Sequence, residues 1–530
     1  MDFSEQVRIN QKHLTEKLKP QYDFIVCGSG SSGSALAGRL AENPNVSILL
    51  LEAGGSDDVS SIMDPDRWLL NLGTEHEWGF SAQPNPNLNG RSLSQSMGKV
   101  LGGGSSINAL MWTRGHRHDW DFFASESGDA AWGYESVLNV YRRIEDWHGA
   151  PDPIYRGTGG PMFVQPAPNP NFAPAVMIEG ANSVGIPSFE NPNGRMMEGD
   201  GGASMLDVIV RNGKRQSVFR SYVFPLMDRP NLTVLTRALV TRVSFDGKRA
   251  IGVEIVCNDK IYRIGAGHEV VLSLGAINTP KVLMQSGIGD QVELGHLRIP
   301  LVQHLPGVGH NLQDHFLIYG CVWEYHQPSV IPNAARAVLF WKTDPNLDTP
   351  NAQIVQSDGG RVRGEMKNLG LVNDSWWSIA PGIVRPKSRG RLRLTGPDPV
   401  DEIKIELNTL SDPDDMKAAI ASIEICREIA HAPALRPFVK RELMPGNLKG
   451  MALADFVRDG IVTYWHQAGS AKMGLDPMSV VDSNLQVYGV NNLRIADGSI
   501  MPRVTTGNTM APCVVIGERA AEILKRQYSF

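Results

Sequence analysis

The chain has 530 residues, 42% of them apolar and 20% charged, enough for several domains or one large composite with a sizeable core. Lys and Arg number 51 against 56 Asp and Glu, a formal net charge of −5, which leaves no basic footprint for nucleic acid and no polybasic membrane patch. Cys27, Cys257, Cys321, Cys426 and Cys513 are scattered without a C-x-x-C pair, so neither a disulfide framework nor a structural zinc site is read from them, and a reducing, cytoplasmic setting is expected.

The first twenty residues mix Glu, Lys, Arg and Gln and lack the apolar run of a secretory signal. Phe3, Val7, Leu14 and Leu18 fall close to one helical face, which predicts a short amphipathic helix laid on the main body. No later run is long and apolar enough to span a bilayer. From Tyr22 the pattern changes. Asp23-Phe24-Ile25-Val26-Cys27 runs into glycine, Ser34 to Glu42 carries Ala and Leu, and Val46 to Leu51 is apolar again. Strand, glycine turn, helix and strand make a βαβ unit, the opening of a doubly wound fold. Its turn, Gly28-Ser29-Gly30-Ser31-Ser32-Gly33, matches G-x-G-x-x-G, and the acidic Glu52 closes the next strand. Such glycines let the backbone approach a pyrophosphate at a helix N-terminus, while the acid accepts from ribose hydroxyls. The motif alone does not separate FAD from NAD.

Gly, Pro and Asn crowd the stretch from Pro151 to Gly202, which reads as irregular connections around strands. Segments 231–236, 240–245, 250–257 and 260–264 alternate or run apolar between turn signals and predict antiparallel sheet. Ser411-Asp-Pro-Asp-Asp415 starts a helix whose Met416, Ile420, Ile423 and Ile429 predict core packing. Strand Leu493 to Ala496, then Asp497-Gly498, then a helix from Met510 to Arg526 close the chain, with no internal repeat and no low-complexity segment.

A second glycine cluster, Gly98-Lys-Val-Leu-Gly102-Gly103-Gly104-Ser105-Ser106-Ile-Asn108, exposes backbone N–H groups to a polar ligand. With Gly275-Ala-Ile-Asn-Thr279-Pro280-Lys-Val-Leu283-Met284-Gln-Ser286-Gly287-Ile288-Gly289, it resembles the two signature segments of the glucose-methanol-choline (GMC) oxidoreductases, a family of flavoenzymes. Pro306 to His315, Arg211 to Ser217, Ser388-Arg389-Gly390 and Gly507-Asn508-Thr509 extend the resemblance from Tyr22 to about Lys525. Where the usual flavin loop reads Arg-x-Leu-Gly-Gly-Ser-Ser, this chain has Lys99 and Gly104.

The resemblance implies an α/β composite, with a Rossmann-type FAD-binding domain and a substrate domain of antiparallel sheet flanked by helices. The FAD domain is expected at 1–158, 213–315 and 466–530, and the substrate domain at 159–212 and 316–465. FAD is the implied cofactor, held by Gly28, Gly30, Ser31, Ser32, Gly33, Glu52, Ala53, Gly98, Gly102, Gly103, Ser105, Asn108, Ala109, Asp497, Gly498, Asn508 and Thr509, with the Val240 backbone meeting adenine. No histidine in the glycine loop suggests a covalent link there.

Of thirteen histidines, His116-Arg-His118 is too bare for a metal site, and no metal is expected. His466, in Tyr464-Trp465-His466-Gln467, resembles the family's active-site stretch, with Asn508 as its partner; the resemblance implies that both face the flavin N5. An alcohol donates hydride once its hydroxyl proton begins to leave, so a neutral imidazole suits the base and an amide suits the developing alkoxide. The helix from Met510 would aim its positive end at the flavin pyrimidine edge. Trp465 is expected to wall the substrate pocket and Trp376-Trp377 to line its mouth, although buried tryptophans more often serve packing.

The leading expectation is oxidation of a primary aryl or furanic alcohol, such as 5-hydroxymethylfurfural, to the aldehyde, with O2 as acceptor, as in bacterial aryl-alcohol and furfural oxidases. The runner-up is a choline- or aliphatic-alcohol dehydrogenase passing electrons to a quinone. Hydroxynitrile lyase and fatty acid photodecarboxylase are the alternatives without net alcohol oxidation.

Overall fold

The computed structural model describes residues 2–168, 173–326, 337–358 and 376–530. Strands Gln21–Cys27 and Ile48–Leu51 pair in parallel, Phe24 opposite Ile48 and Cys27 opposite Leu51, with helix Ser31–Ala41 as the crossover. Residues 48–51 are all buried, as a strand covered on both faces requires. Leu232–Leu235 pairs beside Ile48–Leu51, and Lys260–Leu272 beside Gln21–Cys27, both in parallel.

The Lys260–Leu272 strand does two jobs. Its first half pairs antiparallel with Arg249–Cys257, and Ala238–Asp246 follows in the same meander. Its second half, Val270 to Leu272, takes Leu493–Ile495 in parallel on the edge that Arg249–Cys257 has left. The seven-stranded sheet is therefore part doubly wound and part meander. Sequence patterning gives this strand only as 260–264. The structure runs straight through: Gly252 lies opposite Gly265, and a Cβ on Gly252 would meet the Ile264 carbonyl oxygen at 2.1 Å.

An eight-stranded antiparallel sheet stands apart from the first, in the order Val439–Met444, Val322–Tyr325, Trp376–Ile383, Ala352–Asp358, Ala337–Trp341, Gly202–Met205, with Phe316–Ile318 joined to Trp376–Ile383 and Ile461–Thr463 joined to Phe316–Ile318. Helix Pro413–Ala430 lies on it, capped by the Asp412 carboxylate, which accepts from Asp414 N–H. Ile423 and Ile429 are buried as its spacing requires, while Met416 and Ile420 are half-buried against the same core. The N-terminal helix, Phe3–Glu16, is anchored by Gln11, whose Nε2 donates to Met227 and Leu232 carbonyls. No helix among the described residues is long and apolar enough to cross a membrane.

The C-terminal helix Met510–Tyr528 packs on Ser31–Ala41, and contact is close because a Cβ on Gly517 would lie 2.3 Å from the Ser32 carbonyl oxygen. The first helix is seated on its strand the same way, since a Cβ on Gly33 would lie 1.9 Å from the Gly28 carbonyl oxygen. Gly33→Ala should therefore cost about 1–3 kcal/mol as overpacking, lower the thermal midpoint and reduce flavin content. Gly30→Ala meets no chain atom within 4 Å and should leave the thermal midpoint of the cofactor-free protein unchanged. Thermal unfolding and the flavin-to-protein absorbance ratio of both variants check this.

Candidate active site

The two sheets meet around a cavity of about 620 Å³. One end is walled by the first glycine turn and the second glycine cluster, the other by residues 317–321, Val355, residues 378–380 and 464–467. A second cavity of about 380 Å³ shares Ala53, Trp78 and Leu274 with the first and reaches Val240. Together they form a long slot, the shape an extended dinucleotide needs.

Gly28, Gly30, Ser31, Ser32, Glu52, Ala53, Gly98, Gly103, Ser105, Asn108, Ala109, Asp497, Gly498, Asn508 and Thr509 line the larger cavity, and Val240 the smaller. Gly33 and Gly102 do not. Gly33 seats the helix on its strand, and Gly102 lies beneath the loop, where a Cβ would meet Ser106 Oγ at 2.2 Å. The two glycine turns touch: a Cβ on Gly103 would sit 2.8 Å from Gly30 Cα. Glu52 accepts from Ser29 N–H at 3.1 Å, Ser29 Oγ at 2.7 Å and Gly54 N–H at 2.8 Å, which holds the turn shut from below. Gly30 is the N-cap of helix Ser31–Ala41, and no side chain caps it, so its first N–H groups remain for a ligand. The residues present thus fit FAD.

His466 arrives through strand pairing. Phe316 pairs with Thr463, Tyr464 N–H donates to the His315 carbonyl at 2.9 Å, and Gln313 and Ala468 exchange both backbone bonds. Trp465, at φ 59°, turns the chain between them. His315 and His466 then meet, Nδ1 to Nδ1 at 3.0 Å, and Tyr464 stacks on the His466 ring at 4.6 Å. On the other side of His466, Nε2 lies 3.1 Å from Asn508 Nδ2. Asn508 Oδ1 accepts from the Gln353 amide at 3.1 Å, which turns the Asn508 NH2 toward the imidazole, and the Asn508 backbone carbonyl accepts from the Thr113 hydroxyl at 3.0 Å.

Burial pulls His466 down to about 3, and burial followed by repulsion from His466 holds His315 well below the ordinary histidine range. Both rings are therefore neutral, and one proton lies between the two Nδ1 atoms. With that proton on His466 its Nε2 is a free lone pair, the arrangement that the Asn508 NH2 matches. Asp314 stands behind: Oδ1 accepts the His466 backbone N–H at 2.8 Å and Oδ2 the Thr463 hydroxyl. Burial outweighs these hydrogen bonds and pushes Asp314 up to about 7.

Asp497 accepts from Gly275 N–H at 2.9 Å and the Thr279 hydroxyl at 2.6 Å, so it ties the second signature segment to the cavity wall. Trp465 lines the cavity and meets Trp68 edge-on at 6.3 Å. Trp376 and Trp377 are not among the described residues lining it: Trp377 packs on Trp323 and Tyr325, and Trp376 on Val322, both inside the sheet. Their side chains point to the covered faces of Trp376–Ile383, and Ser378, Ile379 and Ala380 from the same strand line the cavity instead. His116 caps helix Arg117–Ser127, accepting from His118 N–H, and among the described residues no cluster of three His, Cys, Asp or Glu could hold a metal.

Sequence reading missed His315, Asp314, Thr113 and Gln353. His315 and Asp314 sit in the quoted segment Pro306 to His315, one and two residues ahead of strand Phe316–Ile318, which sequence patterning does not pick out; only the pairing with 461–468 gives them their place. Gln353 carries no local signal at all.

The family model described as "GMC oxidoreductase" matches residues 22–317, and its C-terminal counterpart residues 386–517. The oxygen-dependent choline dehydrogenase of Stenotrophomonas maltophilia strain R551-3 is 37% identical over 536 residues, 95% of each chain. That of Escherichia coli O139:H28 is 36% identical over 546 residues, 96% of each. Among solved structures, pyridoxine 4-oxidase from Mesorbium loti superposes with a TM-score of 0.89 at 29% identity, over 96% of this chain and 99% of that one. A fungal aryl-alcohol oxidase, at 20% identity and a TM-score of 0.82 over 97% of this chain and 100% of that one, shares the fold. The glycine-lined slot and the two signature segments thus have their explanation: the chain belongs to the GMC oxidoreductase family, FAD-dependent flavoproteins acting on CH–OH donors.

Proposed function

We propose that this enzyme oxidises a neutral primary alcohol borne on an aromatic or furan ring to its aldehyde, with O2 as acceptor: RCH2OH + O2 gives RCHO + H2O2. The observation that carries the substrate class is the wall facing His466. Leu317, Ile318, Tyr319, Val355, Ile379, Ala380, Tyr464 and Trp465 supply apolar and aromatic surface, with no carboxylate among them. Glu52 and Asp497 belong to the glycine loops, and Asp64 and Asp66 to the short helix at Trp68. A flat, neutral ring fits such a wall, whereas a quaternary ammonium would gain aromatic faces but no carboxylate from the residues of that wall.

Bound FAD supplies the hydride acceptor. His466 Nε2 takes the hydroxyl proton, and the Asn508 NH2 donates to the oxygen as negative charge grows on it. As His466 becomes imidazolium, its Nδ1–H remains bonded to His315, which keeps the ring from turning. Gln353, donating to Asn508 Oδ1, holds the Asn508 amide in the donating orientation, and Thr113 holds the Asn508 backbone carbonyl.

The choline dehydrogenase reading rests on a specific observation too, the 36–37% identity over almost the whole chain. The oxidase reading is supported by the name of the 29% identical structure, pyridoxine 4-oxidase. An aerobic panel of benzylic, furanic, choline and straight-chain alcohols, followed by peroxide and in parallel by an artificial acceptor, separates the two. Peroxide with ring-borne alcohols and none with choline is expected; choline turnover through the artificial acceptor alone would replace this reading by the second.

His466→Ala should leave FAD bound and slow anaerobic flavin reduction by about 10²–10⁴-fold, as loss of a general base does. Stopped-flow bleaching of the flavin measures it, and an unchanged rate would remove His466 from the role of base. Because His466 is neutral down to about pH 3, the ionisation felt near neutrality is that of Asp314, at about 7. Its negative charge favours the imidazolium, so the reduction rate should rise as pH increases through about 7, and Asp314→Asn should flatten that rise.

A further inference from the structure

Arg215 is 1% exposed and carries a charge with no carboxylate partner among the described residues. Nε donates to the Ile62 carbonyl at 2.8 Å, Nη1 to the Ser105 carbonyl at 3.2 Å and Asn108 Oδ1 at 2.8 Å, and Nη2 to the Asn108 carbonyl at 2.8 Å. Every acceptor is neutral. The other buried arginines near the first sheet differ: Arg494 sits on Glu269, and Arg156 on Glu145 and Asp207. A buried guanidinium without an anion is costly, and burial pulls Arg215 down to about 9, which still leaves it charged at neutral pH.

Its partners lie under the cofactor slot. Asn108 Oδ1 also accepts Leu110 N–H at 3.0 Å, with Leu110 held at φ 66°, and Asn108 Nδ2 reaches Met510 Sδ at 3.1 Å. The Asn108 carbonyl points to Arg215, and in a trans peptide the following N–H, that of Ala109, points the opposite way. Ala109 lines the cavity, and its N–H has no acceptor among the described residues. Ile62 belongs to helix Ser60–Met63, which leads into the Pro65–Asn71 segment carrying Trp68 and Leu69 on the cavity wall. One side chain thus joins the flavin loop to the outer wall.

We propose that Arg215 is a positioning residue: it fixes the Asn108–Ala109 peptide with the Ala109 N–H turned into the cavity, and its uncompensated positive charge favours the electron-rich, reduced state of the bound flavin. The charge acts whichever alcohol is oxidised, so the inference stands apart from the substrate reading.

The test is the midpoint potential and FAD affinity of the holoenzyme, of R215M and of R215K, the potential taken across a pH series by equilibrium reduction against a reference dye. R215M is expected to show a lower midpoint potential than the unmodified holoenzyme at every pH. In R215K the introduced amine has no counter-ion, so its pKa is depressed, and the potential should match the unmodified enzyme at acid pH and fall away as the amine loses its proton. A lysine cannot bridge Ile62 and Asn108 together, so both variants should bind FAD at least about tenfold more weakly, one lost hydrogen-bond network. An R215M potential equal to the unmodified value would overturn the charge role. Should R215M not fold, a non-zero R215K offset that is constant with pH would overturn it equally. Unchanged FAD affinity in R215K would overturn the positioning role.

Discussion

A single proton shared between two buried imidazoles governs what the site can do. His315 and His466 are both neutral because ionising either one in so apolar a place is unfavourable, and ionising both at 3.0 Å is worse. Two neutral rings meeting through the same nitrogen type have one hydrogen bond to make, so the proton state of one ring sets that of the other. The Asn508 amide on the far side is compatible with only one of the two choices, an acceptor at His466 Nε2. The relative geometry of the His466 ring and the Asn508 amide follows from that constraint rather than from either residue by itself.

The scaffold meets the constraint by strand pairing, not by loop packing. Residues 313–318 and 461–468 run antiparallel, and their backbone bonds place His315 and His466 side by side. Asn508 comes from a third direction, just ahead of the Met510–Tyr528 helix, and that helix is locked on Ser31–Ala41 by the glycine contact at Gly517. The Asn508 end of the cavity and the first glycine turn are thus tied together by one closely packed helix pair. Substitutions far from His466, along that helix contact, should be felt at the site for this reason.

Charge is distributed unevenly along the slot. Carboxylates and a buried guanidinium cluster at the cofactor loops, Glu52 and Asp497 with all their oxygens engaged by backbone and hydroxyl groups, Arg215 with neutral acceptors only. Among the described residues, the Leu317 to Tyr319, Val355, Ile379, Ala380, Tyr464 and Trp465 wall includes no carboxylate or guanidinium. A cofactor that carries phosphates and gains electrons suits the first environment, and a neutral ring suits the second.

Much of this was legible in the chain. The first βαβ unit, both glycine clusters and the helix from 413 follow from local patterns, because turn glycines, caps and apolar runs act over a few residues, while the cofactor set and the pair His466 and Asn508 came from the family resemblance. The reading failed where the deciding contact was distant. The segment read as 260–264 runs on to Leu272 and pairs with different strands along its length; Gly33 and Gly102 looked like ligand contacts and are packing contacts; Trp376 and Trp377 looked like a pocket mouth and lie in the sheet. Sequence by itself determined the family, the cofactor and the chemical types at the site. Only the tertiary structure decided that His315 shares a proton with His466, that Gln353 aims Asn508 and that Arg215 stands unpaired beneath the loop, because each is a contact across more than 100 residues and no local period encodes it.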